Sequence, residues 1–288
     1  MKTILVLTDF TENATHAAKT AVMLGSKLHT NLLLFNTYLT APVVPEYAGG
    51  PWVVDEIMQR ESLCKNKLQR LQFALEDVIE RLEADTLKPA VHIQSGEGSL
   101  GINVEETIQQ KDIELVVMGA RSDSTIEHLL NGSETSEVIN RSARPVFILP
   151  HNVSLKRIKK VVFATDFDQA DISAVRYLTK IGKKFNFQLE IVHVAVYGDN
   201  NSLKVKKEKE FLSQVSKLDY PAITYNAVRG KDVVNRLNNL CDETGTDLLA
   251  LVHHQHSFFM RLLKQSTTNE ALLNQSIPLL VIPSQIEE

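Results

Sequence analysis

Cysteine is nearly missing from this 288-residue chain: Cys64 and Cys241 are its only two. They sit far apart in helix-like segments without CxxC spacing, which excludes a disulfide framework, a thiolate zinc site and a dithiol redox motif, and both read as buried thiols. Long apolar runs are also missing. The longest, such as Ile4 to Leu7, Leu115 to Met118 and Leu248 to Val252, fall far short of the roughly 20 residues that cross a bilayer, so no membrane span is expected. Asp9 interrupts the N-terminal apolar stretch too early for a secretory segment, and no small-residue cleavage site follows, so a cytoplasmic location is expected. Nor does one sign of charge prevail: residues 1–150 carry 13 Lys and Arg against 20 Asp and Glu, and residues 151–288 carry 18 against 15. Neither half is basic enough to suggest nucleic acid as a partner. The clusters at 156–160 and 204–209 read as solvated surface, the second because its lysines alternate with Glu208.

The signatures of dedicated catalysis are absent as well. There is no GxSxG elbow, no Cys-His arrangement, no paired carboxylates, no Walker sequence and no Ser-Gly-Gly-x-Asp-Ser loop. His253-His254-Gln255-His256 has no local Cys, Asp or Glu to complete a tetrahedral metal site and reads as a surface or pocket segment. No catalytic residue and no metal ligand is assigned.

What the chain does have is a duplication. Lys2 to Phe10 is echoed by Lys159 to Phe167 at an offset of 157, with Thr-Asp-Phe repeated intact. Glu114 to Pro150 aligns without a gap on Asp247 to Pro283 at an offset of 133, matching Leu129-Leu130 with Leu262-Leu263 and Glu137 with Glu270. Two units follow, 1–150 and 156–284, joined near His151 to Lys156.

In the first unit apolar runs predict strands at 2–8, 31–37, 89–94, 114–119 and 145–149, with helices at 12–29, 53–84, 100–110 and 126–141. The second gives strands at 159–165, 187–195, 221–228, 247–252 and 278–282, with helices between. Thr11, Ser99 and Asp168 stand where N-caps are needed. Near-continuous Ile, Leu and Val strands, each followed by a helix, predict an α/β fold: two tandem doubly wound five-stranded parallel sheets of Rossmann-like type.

Such a sheet opens its crevice at the carboxyl ends of its strands, where strand order reverses. Thr8-Asp9-Phe10, Asn36-Thr37-Tyr38 and Met118-Gly119-Ala120-Arg121-Ser122 converge there, and Asn131-Gly132-Ser133-Glu134-Thr135 leads into the last helix. Glycine lets backbone approach a ligand, and a helix N-terminus offers N–H groups to an anion, which points to phosphate.

The spacing Gly119-x2-Ser122-x9-Gly132-Ser133 resembles the nucleotide signature of the universal stress proteins, with serine in place of one glycine. Thr8-Asp9-Phe10-Thr11-Glu12 resembles the family's first-strand acidic motif, Leu189 to Val194 its second strand, and Gly132 to Pro150 its last helix and strand. The resemblance covers nearly the whole chain, twice, and so describes a tandem universal stress protein with a stress-response role. It implies ATP or ADP, with or without Mg, in the N-terminal unit. Asp9 would lie by the ribose and adenine, with Thr8 also among the binding residues, backbone at Thr37 would read the adenine edge, and Met118 and Gly119 would pass under the nucleotide. Arg121, Ser122, Gly132, Ser133, Glu134 and Thr135 would surround the phosphates. It further implies that strands 145–149 and 278–282 pair antiparallel, joining the two units within one chain; homodimerisation through another surface stays open. Slow ATP hydrolysis is the most chemistry such a site would offer.

In the second unit Val252, Gln255 and Gln265 replace Gly119, Ser122 and Gly132, which leaves Ser266 alone of the signature and predicts no nucleotide there. Asp166 is expected to hold its strand-to-helix turn as an N-cap would. Two alternatives stand beside the nucleotide reading. One is another small ligand in the second crevice, lined by Phe163, Val194, Val252, His253 and Phe258; the other is an interaction scaffold without ligand. The stretch Tyr38 to Trp52, rich in Pro and Gly, reads either as a lid over the base or as a variable surface loop.

Overall fold

The computed structural model describes residues 2–38, 51–83, 86–120, 133–150, 153, 155, 157–196, 202–253 and 277–286. The first unit runs β1 (Thr3–Leu7), α1 (Glu12–Leu28), β2 (Asn31–Tyr38), α2 (Pro51–Glu80), β3 (Val91–Glu97), α3 (Leu100–Gln110), β4 (Ile113–Gly119), α4 (Ser133–Arg141) and β5 (Val146–Leu149). The second runs β6 (Lys160–Ala164), α5 (Gln169–Phe185), β7 (Gln188–Val196), α6 (Ser202–Val215), β8 (Ile223–Gly230), α7 (Val233–Thr244), β9 (Leu248–His253) and β10 (Leu279–Pro283). Residues 39–50, most of the expected lid, lie outside the described residues, as do 121–132 and 254–276.

Strands β1, β5, β9 and β10 are apolar on both faces because helices cover both. In β1, Ile4 and Val6 join the layer under α1 and α2, while Leu5 and Leu7 join the layer under α3 and α4. The alternation of side chains along a strand makes this division. Helix α1 starts at Thr11, whose hydroxyl accepts from the Ala14 N–H, and ends at His29 in the left-handed conformation. Helix α5 repeats the design 157 residues on, from Asp168 to a left-handed Asn186. Asp168 belongs to a capping box completed by Asp171.

The strand order is β3-β2-β1-β4-β5-β10-β9-β6-β7-β8. Within each unit the strands are parallel. Among the described residues only β5 and β10 pair antiparallel, with Leu279 opposite Ile148 and Val281 opposite Val146, and this pair joins the two five-stranded halves into one sheet. Order reverses between β1 and β4 in the first unit and between β6 and β9 in the second, which puts a crevice at each of those carboxyl ends. Among the described residues no helix is long and apolar enough to cross a membrane.

Candidate functional site

At the first reversal point the chain leaves β1 through a turn built from its own side chains. The Thr8 hydroxyl accepts from the Phe10 N–H at 3.0 Å, and Phe10 takes a positive φ of 66°. Asp9 Oδ1 accepts from both the N–H and the hydroxyl of Thr11, at 3.0 and 2.6 Å. Asp9 therefore orients the residue that caps α1 while its carboxylate stays exposed at the crevice mouth. Thr8 itself is buried and committed to the turn, and its carbonyl receives Asn36 Nδ2 at 2.6 Å from the end of β2. Thr37 follows in β2, half-buried and in register with Gly96 of β3.

Gly119 ends β4 beside this turn. A Cβ there would meet the backbone C and O of Asn13 at 2.9 Å and the N of Ala14 at 3.0 Å. The first turn of α1 thus occupies the space that a side chain would need, and this packing demands the glycine before any ligand does. Asn13, which nothing in the sequence pattern singled out, then caps the sheet: its Nδ2 donates to the carbonyls of Ala120 and, at 3.4 Å, Leu149. Its Oδ1 is buried with no hydrogen-bond partner among the described residues. The Met118 side chain is packed into the core, so only its backbone could lie beneath a ligand.

Helix α4 brings Ser133, Glu134 and Thr135 toward the same end of the sheet. Glu134 is exposed and Thr135 buried. The helix is tied to α3 through Glu137, which accepts from the Ser99 hydroxyl at 2.6 Å, and through Arg141, which pairs with Glu105 at 2.8 Å. A Cβ on Gly101 would strike the Glu137 side chain, so α3 and α4 lie in close contact. The first N–H groups of α4 have no intrahelical acceptor and form the positive end of its dipole. Arg121, Ser122 and Gly132 lie outside the described residues. The structure thus places Thr8, Asp9, Thr37, Met118, Gly119 and the start of α4 at the same, carboxyl end of the first unit's sheet.

Two groups near β2 are electrostatically muted. Burial pushes the Cys64 thiol pKa up, and the thiol donates to Asn36 Oδ1 at 3.1 Å. Burial, with Glu61 and Glu97 nearby, likewise raises the Tyr38 phenol. Neither is a nucleophile at neutral pH.

The second crevice is closed differently. Phe167, also at positive φ, is buried, and its ring centroid lies 4.4 Å from that of His193, 5.7 Å from Phe211 and 6.3 Å from Tyr225. The cluster plugs the carboxyl ends of β6 and β7 on the α6 side. Asp166 is not the N-cap of α5. Asp168 is the N-cap, and the buried Asp171 carboxylate accepts from the Thr165 hydroxyl at 2.6 Å and the Asp166 N–H at 3.3 Å. Phe163, expected to line a ligand site, is fully buried in the core because its strand position points under α5. Val252 is also core, and His253 is buried at the end of β9. Phe258, Gln255, Gln265 and Ser266 lie outside the described residues. No group of three or more His, Cys, Asp or Glu suited to a metal occurs among the described residues.

At this end of the first unit the described residues present the exposed Asp9 carboxylate, the strand-end backbone of β2 and β4, and the amino end of α4. The family model of the universal stress protein family matches residues 1–150 and again 157–283. Universal stress protein MJ0531 of Methanocaldococcus jannaschii is 26% identical over 149 residues, which is 51% of this chain and 81% of that protein. A universal stress protein from Archaeoglobus fulgidus has a similar fold over 98% of this chain and 96% of its own, with a TM-score of 0.69 and 16% identity. A putative universal stress protein from Pseudomonas aeruginosa matches over 98% and 93%, with a TM-score of 0.58 and 11% identity.

Proposed function

The chain belongs to the universal stress protein family, and from that premise we propose that residues 1–150 bind one adenine nucleotide, ATP or ADP, while residues 156–284 bind none. The observation that carries this reading is the contrast between the crevices. In the first, the exposed Asp9 carboxylate follows β1 and Gly119 ends the neighbouring β4 at the reversal point, and α4 starts at the same end of the sheet. In the second, Val252 stands in the glycine's place and Phe167 is packed against His193. Asp9 would accept from ribose hydroxyls, backbone at Thr37 would meet the base edge, and Met118 and Gly119 would lie beneath. The N–H groups from Ser133 to Thr135, with Arg121, Ser122 and Gly132, would hold the phosphates. Any Mg would arrive on the nucleotide. Nucleotide binding, with at most slow hydrolysis, is the activity that this reading gives the first unit.

The reading extends to assembly and setting: the two units act as a pair joined through β5 and β10, in the cytoplasm, in a stress response. Calorimetric titration of the full chain with ATP and with ADP tests the central statement, with one site per chain expected; two equivalent sites, or none, would overturn it. Anion-exchange chromatography of the supernatant after denaturation gives an independent readout of what copurifies.

A further inference from the structure

Asn13 stands in the first turn of α1, only 6% exposed, and its side chain reaches two strand ends rather than its own helix. Nδ2 donates to the carbonyl of Ala120, the residue after β4, and at 3.4 Å to that of Leu149, the last residue of β5. The Ala120 N–H donates to the same Leu149 carbonyl at 2.8 Å. Both main-chain groups of Ala120 are therefore held, the N–H by β5 and the carbonyl by α1. Gly119 permits this approach, since the main chain of Asn13 lies where a Cβ would stand.

Packing alone would not select an amide here. Two carbonyls can only accept, so the side chain must turn its NH2 toward them and its Oδ1 away. That Oδ1 is buried and finds no donor among the described residues. A buried acceptor without a partner is destabilising, and alanine would remove it together with the two bonds.

The second unit has the alanine. Under the 157-residue register Asn13 corresponds to Ala170, and under the 133-residue register Gly119, Ala120 and Leu149 correspond to Val252, His253 and Ile282. The main chain there takes a different course. Pairing of β4 with β5 stops at Gly119 opposite Leu149, whereas pairing of β9 with β10 runs one residue further, to His253 opposite Pro283. The residue equivalent to Ala120 thus stays in the sheet where there is no amide to take its carbonyl.

We infer that Asn13 is a positioning residue for the ligand of the first unit. By fastening Ala120 to α1 and β5 it fixes the exit of β4, and with it the Met118-Gly119 main chain beneath the nucleotide. The inference rests on the nucleotide reading given above, in which Asn13 has no part. Asn13 acts through Ala120 and needs no contact with the ligand. A strand end already held in place does not have to be ordered when the nucleotide arrives, and such ordering subtracts from affinity. The same fastening explains why the glycine and the amide occur together in the first unit and are both absent from the second.

The test is calorimetric titration of ATP on the full chain in wild type, Asn13→Ala, Asn13→Ser and Val22→Ala, with each unfolding curve measured alongside. Asn13→Ala installs the residue of the second unit. Asn13→Ser keeps a polar group suited to a first helical turn but is too short to span two carbonyls, and it serves where alanine does not fold. Val22→Ala removes core packing from the same helix, away from Ala120. Both Asn13 variants should bind ATP at least ~10-fold more weakly through lost preorganisation, and Val22→Ala should bind as wild type does. Without nucleotide, amide hydrogen exchange at Ala120 should quicken in the Asn13 variants relative to the amides of β1. Absence of ATP binding in wild type would remove the nucleotide reading and this inference with it. Where wild type binds, full affinity in a folded Asn13 variant, or unchanged exchange at Ala120, would overturn this inference alone. An equal loss of affinity in Val22→Ala, or failure of both Asn13 variants to fold, would also overturn it, since Asn13 would then be a packing residue only.

Discussion

Asn36 and His193 occupy equivalent places in the two units and make the same bond: Asn36 Nδ2 donates to the Thr8 carbonyl at 2.6 Å, and His193 Nδ1 donates to the Thr165 carbonyl at 2.9 Å. A carbonyl can only accept, so the proton sits on Nδ1 of His193. Two different side chains thus fasten the end of the second strand to the turn after the first. The imidazole does one thing more, because it stacks on Phe167 and closes the crevice.

This separates two contributions. His193→Asn keeps a donor and loses the ring, so it should cost about 1 kcal/mol of stability, the scale of one aromatic contact. His193→Ala loses both and should cost about 1–2 kcal/mol more, because the Thr165 carbonyl also loses its side-chain donor. Urea unfolding of the two variants compares them directly. Equal destabilisation would mean that the hydrogen bond contributes nothing.

Gly119 yields a second expectation. Its Cβ would collide with main-chain atoms of Asn13 and Ala14, which cannot swing aside as a side-chain tip can. Gly119→Ala should therefore lower stability by about 1–3 kcal/mol, the usual range for overpacking, in the absence of any nucleotide. A fully stable Gly119→Ala protein with weakened ATP binding would instead show that the glycine serves only the ligand.

That glycine shows where the sequence is legible and where it misleads. Strand positions could be read from continuous Ile, Leu and Val, and the observed β1 and β6 keep the 157-residue offset of the sequence repeat. The caps Thr11, Ser99 and Asp168 were legible because side-chain oxygen at a helix start has one common use. Gly119 was legible as a place of close approach, but the approaching group, α1 or a ligand, is a tertiary fact. Asn13 was invisible for the same reason, since its partners Ala120 and Leu149 lie more than 100 residues away. The N-cap position expected at Asp166 falls instead on Asp168, whose box is completed by Asp171 where the first unit has Ala14.

Stability should fall at both ends of the pH scale for nameable reasons. Burial of Glu190 alone would raise its pKa, but hydrogen bonds from Lys160 at 2.8 Å and Asn226 at 3.1 Å outweigh it and hold the carboxyl below its ordinary value. Its contribution is present above the unfolded value near 4.5 and is lost as pH falls through the lower folded value. Glu190→Gln should weaken the protein at neutral pH and flatten the acid limb. Burial pushes Cys241 from 9.0 up to about 11, so its contribution is complete below pH 9 and is lost as pH rises through about 11. Cys241→Ala should flatten that alkaline limb. Unfolding free energies across both limbs check the pair, and an alkaline slope unaltered in Cys241→Ala would exclude the thiol as its source.

The last expectation concerns which unit holds the nucleotide. Gly132→Gln installs in the first unit the residue that the second carries as Gln265. If backbone N–H groups at the start of α4 hold the phosphates, a long side chain just ahead of Ser133 removes the close approach those bonds need. Loss of charge-assisted hydrogen bonds at about 1.5–3 kcal/mol each translates into at least ~10-fold weaker ATP binding. Folding should persist, because the equivalent segment of the second unit accommodates glutamine before Ser266. Calorimetry of ATP on the Gly132→Gln protein, with its unfolding curve measured alongside, decides the matter. Undiminished affinity in a well-folded variant would place the phosphates elsewhere, whereas lost affinity with an unchanged unfolding curve would assign them to the loop and helix of the first unit.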